Sequence, residues 1–395
     1  MGNDRTDIRS RALDLLRFPL AIVIVIVHIF MNDGITIQGN EYTWSEDSVV
    51  GIVINLVKSF LSVQSVPIYY FISGYVFYLG FKLTKESYFK KLRNRSKSLF
   101  TPYILWNTLA IIFMLIPLLP GLGNLFPSIN TEDPVNMDLP TLLSMYWESG
   151  TSSILNYNVP VEQAYMSFPI DIPMWFVRDL MIVAITTPIV YLILRRVGKW
   201  FPIALGAVWF CLPNIDAEHN HIYQLVTAYL FFSWGGLMSI KNKDMIIEFK
   251  KYKKCSFITY PVVAILIFIS IYAFGDATEV MNNGIHGWLA YIKNIAILSG
   301  LPFAYNLAVV LIEKYDIKLA PYLTSASFFI YAGHIIIIPY ILKLVGVILV
   351  PDTGFKALLL FILTTIIVVG LLLGTYIGLK RVAPCILKPF TGGRL

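Results

Sequence analysis

Long apolar runs are the feature that most constrains this chain. A helix that crosses the hydrocarbon core of a bilayer needs about 20 mostly apolar residues, and the 395-residue sequence is 57% hydrophobic but only 14% charged. A soluble globular domain has about a quarter of its residues charged. The runs are continuous rather than alternating, so they favour helices over a barrel. We therefore predict an all-α, polytopic integral membrane protein.

Ten segments qualify as spans, of which the fifth is short and the ninth is long enough for Pro339 to kink it. They are 12–32, 56–80, 99–121, 172–194, 200–213, 221–240, 255–274, 288–311, 319–349 and 356–380.

The distribution of lysine and arginine orients these spans. With both termini cytoplasmic, the segments on the inner side carry 26 of the 31 basic residues, the loops on the outer side carry none, and the outer loops hold 15 of the 24 acids. Such a bias explains the net charge of +7 without nucleic acid as a partner. We expect one membrane domain over 1–395. The long outer loop 122–171 is either a lid over an external pocket or a packed cap, and 141–146 within it is predicted to form a short helix.

Ionisable residues inside spans are costly and usually mark a site. His28 ends a β-branched run in the first span, eleven residues after Arg17, which corresponds to ~16 Å along a helix. We interpret His28 as a base or proton carrier, with a structural histidine as the alternative. Arg178 and Asp179 in the fourth span favour a polar interior site. For His334 in the ninth span, structural and functional roles stay equally open.

The inner segment 81–98 contains seven basic residues. Positive-inside charge explains most of them, and the sharper interpretation is that Arg93, Arg95 and Lys97 bind an anionic cytosolic cofactor. No phosphate-binding glycine loop, nucleotide motif or metal-binding motif occurs, so ATP, nicotinamide and metal are not expected. Three widely separated cysteines predict no disulfide.

Several local patterns together resemble the acyltransferase 3 family of membrane O-acyltransferases. Arg17 and His28 have the spacing of the family's R-x10-H motif, and Val66–Tyr75 is similar to its FFxSGF segment. Arg95–Trp106 follows its basic R-x-K/R-x-L-x-x-P-Y pattern, and Pro173–Leu180 is similar to its WFxxxL helix. Ser327–His334 also resembles a segment of many members. The matches occur in the family's order and extend over essentially the whole chain.

The resemblance implies transfer of an acetyl or other acyl group from cytosolic acyl-CoA to a hydroxyl of an extracytoplasmic or lipid-linked glycan, in a bacterial inner membrane. On this basis Arg17, Arg93, Arg95 and Lys97 would bind the CoA phosphates. His28 would be the general base, oriented by Asp179, with Arg178, Ser73, Trp175 or a backbone amide stabilising the oxyanion. We assign the acceptor side to Trp175, Tyr331 and His334. A covalent acyl-histidine stays open. The rival class is a proton-coupled transporter or glycan exporter that uses His28, Arg178 and Asp179 as a relay.

Overall fold

A computed structural model describes residues 2–30, 34–37, 39–44, 48–61, 65–116, 139–147, 168–215, 220–274 and 288–395. These residues are predominantly helical. They divide into two compact units, each assembled from separate stretches of the chain. The first unit contains Met1–Val23, Lys58–Ser96 and Asp179–Thr324, and the second contains Ile24–Val57, Lys97–Arg178 and Ser325–Leu395.

The helices of the N-terminal half begin with α1, which runs unbroken from Arg17 in the first unit to His28 in the second. Their bounds are α1 Gly2–Phe30, α2 Val49–Phe60, α3 Ser65–Tyr78, α4 Lys85–Arg95, α5 Thr101–Leu115, α6 Leu139–Ser144, α7 Trp175–Ile185 and α8 Thr187–Val197. A π-helical turn, Ser96–Phe100, joins α4 to α5, and a 3-10 turn, Ile172–Met174, precedes α7.

The helices of the C-terminal half include the longest apolar ones. Their bounds are α9 Trp200–Ile215, α10 Asn220–Ile240, α11 Met245–Lys250, α12 Lys253–Phe274, α13 Trp288–Tyr315, α14 Pro321–Ile348, α15 Gly354–Val382 and α16 Pro384–Phe390. One antiparallel hairpin, β1 Gly34–Ile37 and β2 Asn40–Thr43, follows α1 and pairs Gly34 with Thr43.

Five helices of the described chain are long and apolar enough to cross a membrane, or six if α7 and α8 count as one broken span. The predicted fourth span is bent by 66° between α7 and α8. Thr186 leaves the helical region there, with ψ of 2°, and Pro188 has no amide hydrogen to continue the hydrogen-bond ladder. The predicted second span falls on α2 and α3, with 62–64 outside the described residues. The count of ten and the cytoplasmic termini stay predictions.

Helices α3 and α10 form the closest helix pair of the first unit. A Cβ built on Gly74 of α3 would lie 2.0 Å from the carbonyl oxygen of Phe232, and one on Gly235 of α10 would lie 2.1 Å from that of Phe71. Only glycine permits two helix backbones to approach so closely. The hydroxyl of Tyr78 extends this contact by donating to the carbonyl of Thr187, at 2.9 Å.

In the second unit, α5 is held by the C-terminal residues and by α14. The indole nitrogen of Trp106 donates to the carbonyl of Phe390 at 3.0 Å, and Tyr340 donates to the carbonyl of Phe113 at 2.8 Å. Most of the loop 122–171 lies outside the described residues, so the lid stays a prediction. Within it, the expected short helix is present as α6, and the amide of Ile170 donates to the carbonyl of Met145.

Candidate active site

Two histidines from distant parts of the sequence meet in the second unit. The ring of His28, near the end of α1, lies with its centroid 5.1 Å from that of His334 on α14, and the two rings are tilted by 47°. The sequence singled out both residues but assigned them to opposite sides of the reaction, base and acceptor site. The structure instead makes the two imidazoles direct neighbours.

The surroundings of His334 define its hydrogen-bonding state. The side chain is fully buried, and Nδ1 lies 2.6 Å from the carbonyl oxygen of Tyr331. A carbonyl only accepts, so Nδ1 carries the hydrogen. In the neutral ring this leaves Nε2 with a lone pair, and Nε2 has no hydrogen-bond partner among the described residues. His334 is thus fixed at one nitrogen and open at the other.

Tyr331 links α14 to the turn that begins α7. Its hydroxyl donates to the carbonyl of Pro173, and its ring packs edge-on against Phe176, with centroids 6.1 Å apart. The same tyrosine therefore positions His334 through its carbonyl and contacts the WF segment through its hydroxyl and ring. This arrangement gives the predicted Ser327–His334 and Pro173–Leu180 segments a common structural role.

Asp171 is a residue that the sequence analysis did not single out. It precedes the 3-10 turn, it is fully buried, and neither carboxylate oxygen has a hydrogen-bond partner among the described residues. Its amide donates to Oδ1 of Asn107 at 3.0 Å. Burial raises the pKa of the Asp171 carboxyl well above its ordinary range, because an unpaired carboxylate is costly away from water. Its place two residues before the PMWF motif was the only signal in the sequence.

Arg178 is buried, as the sequence predicted, and it belongs to the same unit as His28. Its Nη1 donates to the carbonyl of Trp147 at 2.9 Å, and its guanidinium lies 5.4 Å from the centre of the Trp147 ring. The arginine therefore holds α7 to the segment that follows α6. Trp175 is partly exposed, with its ring 6.3 Å from that of Phe168.

Asp179 has His221 beside it. It is fully buried in the first unit, where its Oδ1 lies 3.6 Å from Nε2 of the partly exposed His221. Sequence reasoning missed His221, which stands at the start of α10 with no flanking motif. Ser73 also belongs to the first unit, and its carbonyl accepts a 3.4 Å hydrogen bond from Arg95. His28 belongs to the second unit, next to His334.

The predicted donor-binding residues differ in their surroundings. Nη1 of Arg17 donates a hydrogen bond to Oδ1 of Asp14, at 3.0 Å. Arg95 is partly buried, and its guanidinium lies 5.6 Å from the centre of the Phe77 ring. Burial and the nearby positive charge of Arg17 lower the pKa of Arg95 to about 10. Arg93 is exposed, as is Lys97 in the π-helical turn.

The apolar helices define a multi-pass membrane protein, and the paired histidines give it a site suited to proton transfer. A family model described as an acyltransferase domain matches residues 10–377, so the chain belongs to the acyltransferase 3 family. The protein is accordingly an O-acyltransferase, and the match extends over both units.

One relative covers nearly the whole chain. It is the succinoglycan biosynthesis protein ExoH of Rhizobium meliloti (strain 1021), which is 23% identical over 388 residues, or 98% of this chain and 92% of the relative. No solved structure matches.

Proposed function

We propose that this enzyme transfers an acetyl or other acyl group from cytosolic acyl-CoA to a hydroxyl of an extracytoplasmic or lipid-linked glycan. The relative's role in succinoglycan biosynthesis supports a glycan acceptor, and its bacterial source supports the inner membrane as the location. The basic residues on the predicted cytoplasmic side support an anionic donor such as CoA. A transporter is no longer our alternative, because the family is one of acyltransferases.

The contact between His28 and His334 is the observation that carries the mechanism. In the proposed step, His28 removes the proton from the acceptor hydroxyl as that oxygen attacks the thioester carbonyl. The tetrahedral intermediate then expels the CoA thiolate, and the proton held by His28 passes to the leaving sulfur. His334, fixed by the Tyr331 carbonyl, holds the His28 ring in place.

The oxyanion that forms in this step is stabilised by a hydrogen-bond donor or a positively charged side chain directed at it. Arg178 is our candidate, since it is a buried guanidinium in the same unit as the two histidines. Ser73 as a further oxyanion stabiliser and Asp179 as the carboxylate that orients His28 stay proposals. Trp175 and Tyr331 stay the proposed acceptor-side residues.

The donor phosphates are proposed to bind at Arg17 and Arg95, with Lys97 nearby in sequence; the exposed Arg93 lies on a different face of α4 from Arg95 and is not assigned to this site. The positive charge of Arg17 lowers the pKa of Arg95, which supports this assignment, because an anion bound between the two guanidiniums would offset that repulsion. Helix α1 contains both Arg17 and His28, eleven residues or ~16 Å apart along its axis.

The decisive experiment uses purified protein in nanodiscs with radiolabelled acetyl-CoA and, separately, succinyl-CoA. His28→Ala should lower acyl-CoA turnover by about 10²- to 10⁴-fold, the range for loss of a general base, while the protein still binds the donor. Tyr340→Phe is the matched control, because it removes one hydroxyl from α14 without touching the histidines. Turnover by the His28 variant at the rate of Tyr340→Phe would refute the mechanism.

A further inference from the structure

Helix α4 is unlike the apolar helices around it in sequence. It has eleven residues, Lys85–Arg95, and none of them is buried. Five are basic and one, Glu86, is acidic. Its start is fixed by Thr84, whose hydroxyl accepts a hydrogen bond from the amide of Ser87 at 3.1 Å. A helix this polar and this short cannot cross a bilayer, so in a membrane protein it must lie at a surface.

The basic residues of α4 fall on two faces. Residues four apart share a face of a helix. This spacing groups Lys91 with Arg95 and, separately, Lys85 with Phe89 and Arg93. Lys91 points back to its own unit: its Nζ donates to the carbonyl of Leu79 at 3.2 Å and lies 5.8 Å from the centre of the Phe77 ring. Arg95 packs over the same ring. This inner face is occupied by contacts within the protein.

The other face is open. Lys85, Phe89, Lys90 and Arg93 are all exposed, and the Phe89 side chain is 60% exposed. Leu79 and Leu83, which lie just before the helix, are 50% and 42% exposed. Large apolar side chains flanked by cations are typical of helices that lie in the membrane interface, where the apolar groups enter the acyl boundary and the cations meet the headgroups.

We propose that the outer face of α4, formed by Lys85, Phe89, Lys90 and Arg93, binds the headgroups of anionic phospholipids on the cytoplasmic side of the membrane. Phe89 enters the acyl boundary, and the three cations contact phosphates around it. With Glu86 beside them, the face still carries a net charge of +2. Anionic lipid attracts each basic residue near the surface, and the attraction adds over several residues.

The shape of this face favours lipid over the CoA donor. Lys85 and Arg93 lie about 12 Å apart along the helix axis, on a convex and fully exposed surface. Several separate headgroups can occupy such a surface. A single nucleotide instead needs groups that converge, as the inward-facing Arg95 and Arg17 do. The inference therefore assigns the two faces of one helix to two different anions, and it does not depend on the identity of the acceptor.

The test titrates short-chain phosphatidylglycerol or phosphatidylcholine into delipidated protein in detergent and counts bound lipids by native mass spectrometry. The wild type should bind phosphatidylglycerol at least about tenfold more tightly than phosphatidylcholine. The triple variant K85Q/K90Q/R93Q should lose this preference, whereas F89A should weaken binding of both lipids. The matched control K241Q/K250Q/K254Q removes three exposed cations elsewhere in the first unit, and it should keep the preference.

Three results would overturn the proposal. The first is an equal affinity of the wild type for the two lipids. The second is an equal loss of preference in the two triple variants, which would indicate bulk charge rather than the outer face of α4. The third is displacement of phosphatidylglycerol by millimolar CoA, which would assign this face to the donor. Circular dichroism of each variant confirms that the exposed substitutions leave the fold intact.

Discussion

At the scale of single residues, the structure shows which residues the two histidines contact and which nitrogen of His334 carries the hydrogen. The apolar run before His28 predicts that this residue lies within a membrane-spanning helix, but it does not predict which residue contacts its ring. His334 becomes that neighbour, and the Tyr331 carbonyl fixes which of its nitrogens is open. A histidine with one nitrogen bonded to a backbone carbonyl is a common way to set the tautomer of a working imidazole.

Asp171 leads to a prediction about pH. Its pKa is raised in the folded state, so folding becomes less favourable as the pH rises above the unfolded value of about 3.9, by at most about 1.4 kcal/mol per pH unit. Asp171→Asn removes this dependence. In detergent, the thermal unfolding midpoint of the variant, relative to that of the wild type, should rise as the pH increases above about 3.9 and level off once the pH passes the raised pKa of Asp171 in the folded state. A variant that is less stable at every pH would indicate that the carboxylate has a stabilising partner.

The proposed donor-binding residues Arg95 and Lys97 give a second prediction at the scale of residues. Removing the positive charges of Arg95 and Lys97 should weaken donor phosphate binding before it affects chemistry. R95A/K97A should therefore raise the KM for acyl-CoA by about tenfold or more with a smaller change in kcat. K254A, which removes an exposed lysine of α12, is the control. An unchanged KM in the double variant would mean that these residues only orient the protein in the membrane.

At the scale of elements, the FISGY segment has a packing role that its motif did not reveal. Gly74 and Gly235 let α3 and α10 approach backbone to backbone. The carbonyl of the adjacent Ser73, whose role at the oxyanion stays a proposal, accepts a hydrogen bond from Arg95 within the same unit. The segment thus connects helix packing with the position of a proposed donor-binding arginine.

Gly74→Ala tests this packing directly. The new Cβ would meet a backbone atom at 2.0 Å, which no side-chain rotation relieves, so we expect a loss of stability above the usual 1–3 kcal/mol for overpacking (about 3 kcal/mol or more). Gly370→Ala on α15 is the control: its Cβ meets nothing within 4 Å, and alanine favours a helix by about 1 kcal/mol. Thermal unfolding in detergent compares them. Similar midpoints for the two variants would contradict the close approach.

At the scale of the whole molecule, the units are discontinuous in sequence, and α1 contributes to both. The family match over 10–377 likewise ignores the boundary between them. Arg17 belongs to the unit that contains Arg95, and His28 to the unit that contains His334. A sequence divided into consecutive domains would have missed this arrangement.

The predicted topology makes a testable statement about the last span. Cys385 and Asp352 flank α15 and are both exposed. In a protein with Cys211 and Cys255 replaced by alanine, Cys385 should react with an impermeant maleimide only in inverted vesicles. Asp352→Cys, with Cys385 also replaced, should react only in whole cells. Labelling of both positions from the same side would contradict a crossing by α15 and the cytoplasmic C-terminus.

The sequence by itself determined that this is a helical membrane protein. The length of the apolar runs and the placement of charges are local properties, and the bilayer acts on them directly. It also singled out His28, Arg178 and His334, since an ionisable group within an apolar run is conspicuous, and Arg17 through its spacing from His28. Tertiary structure decided the pairings: His28 with His334, and Asp179 with His221. Asp171 and the α7–α8 bend emerged only there. Pairings join residues up to 306 positions apart, and periodicity and composition contain no information about contacts at such separations.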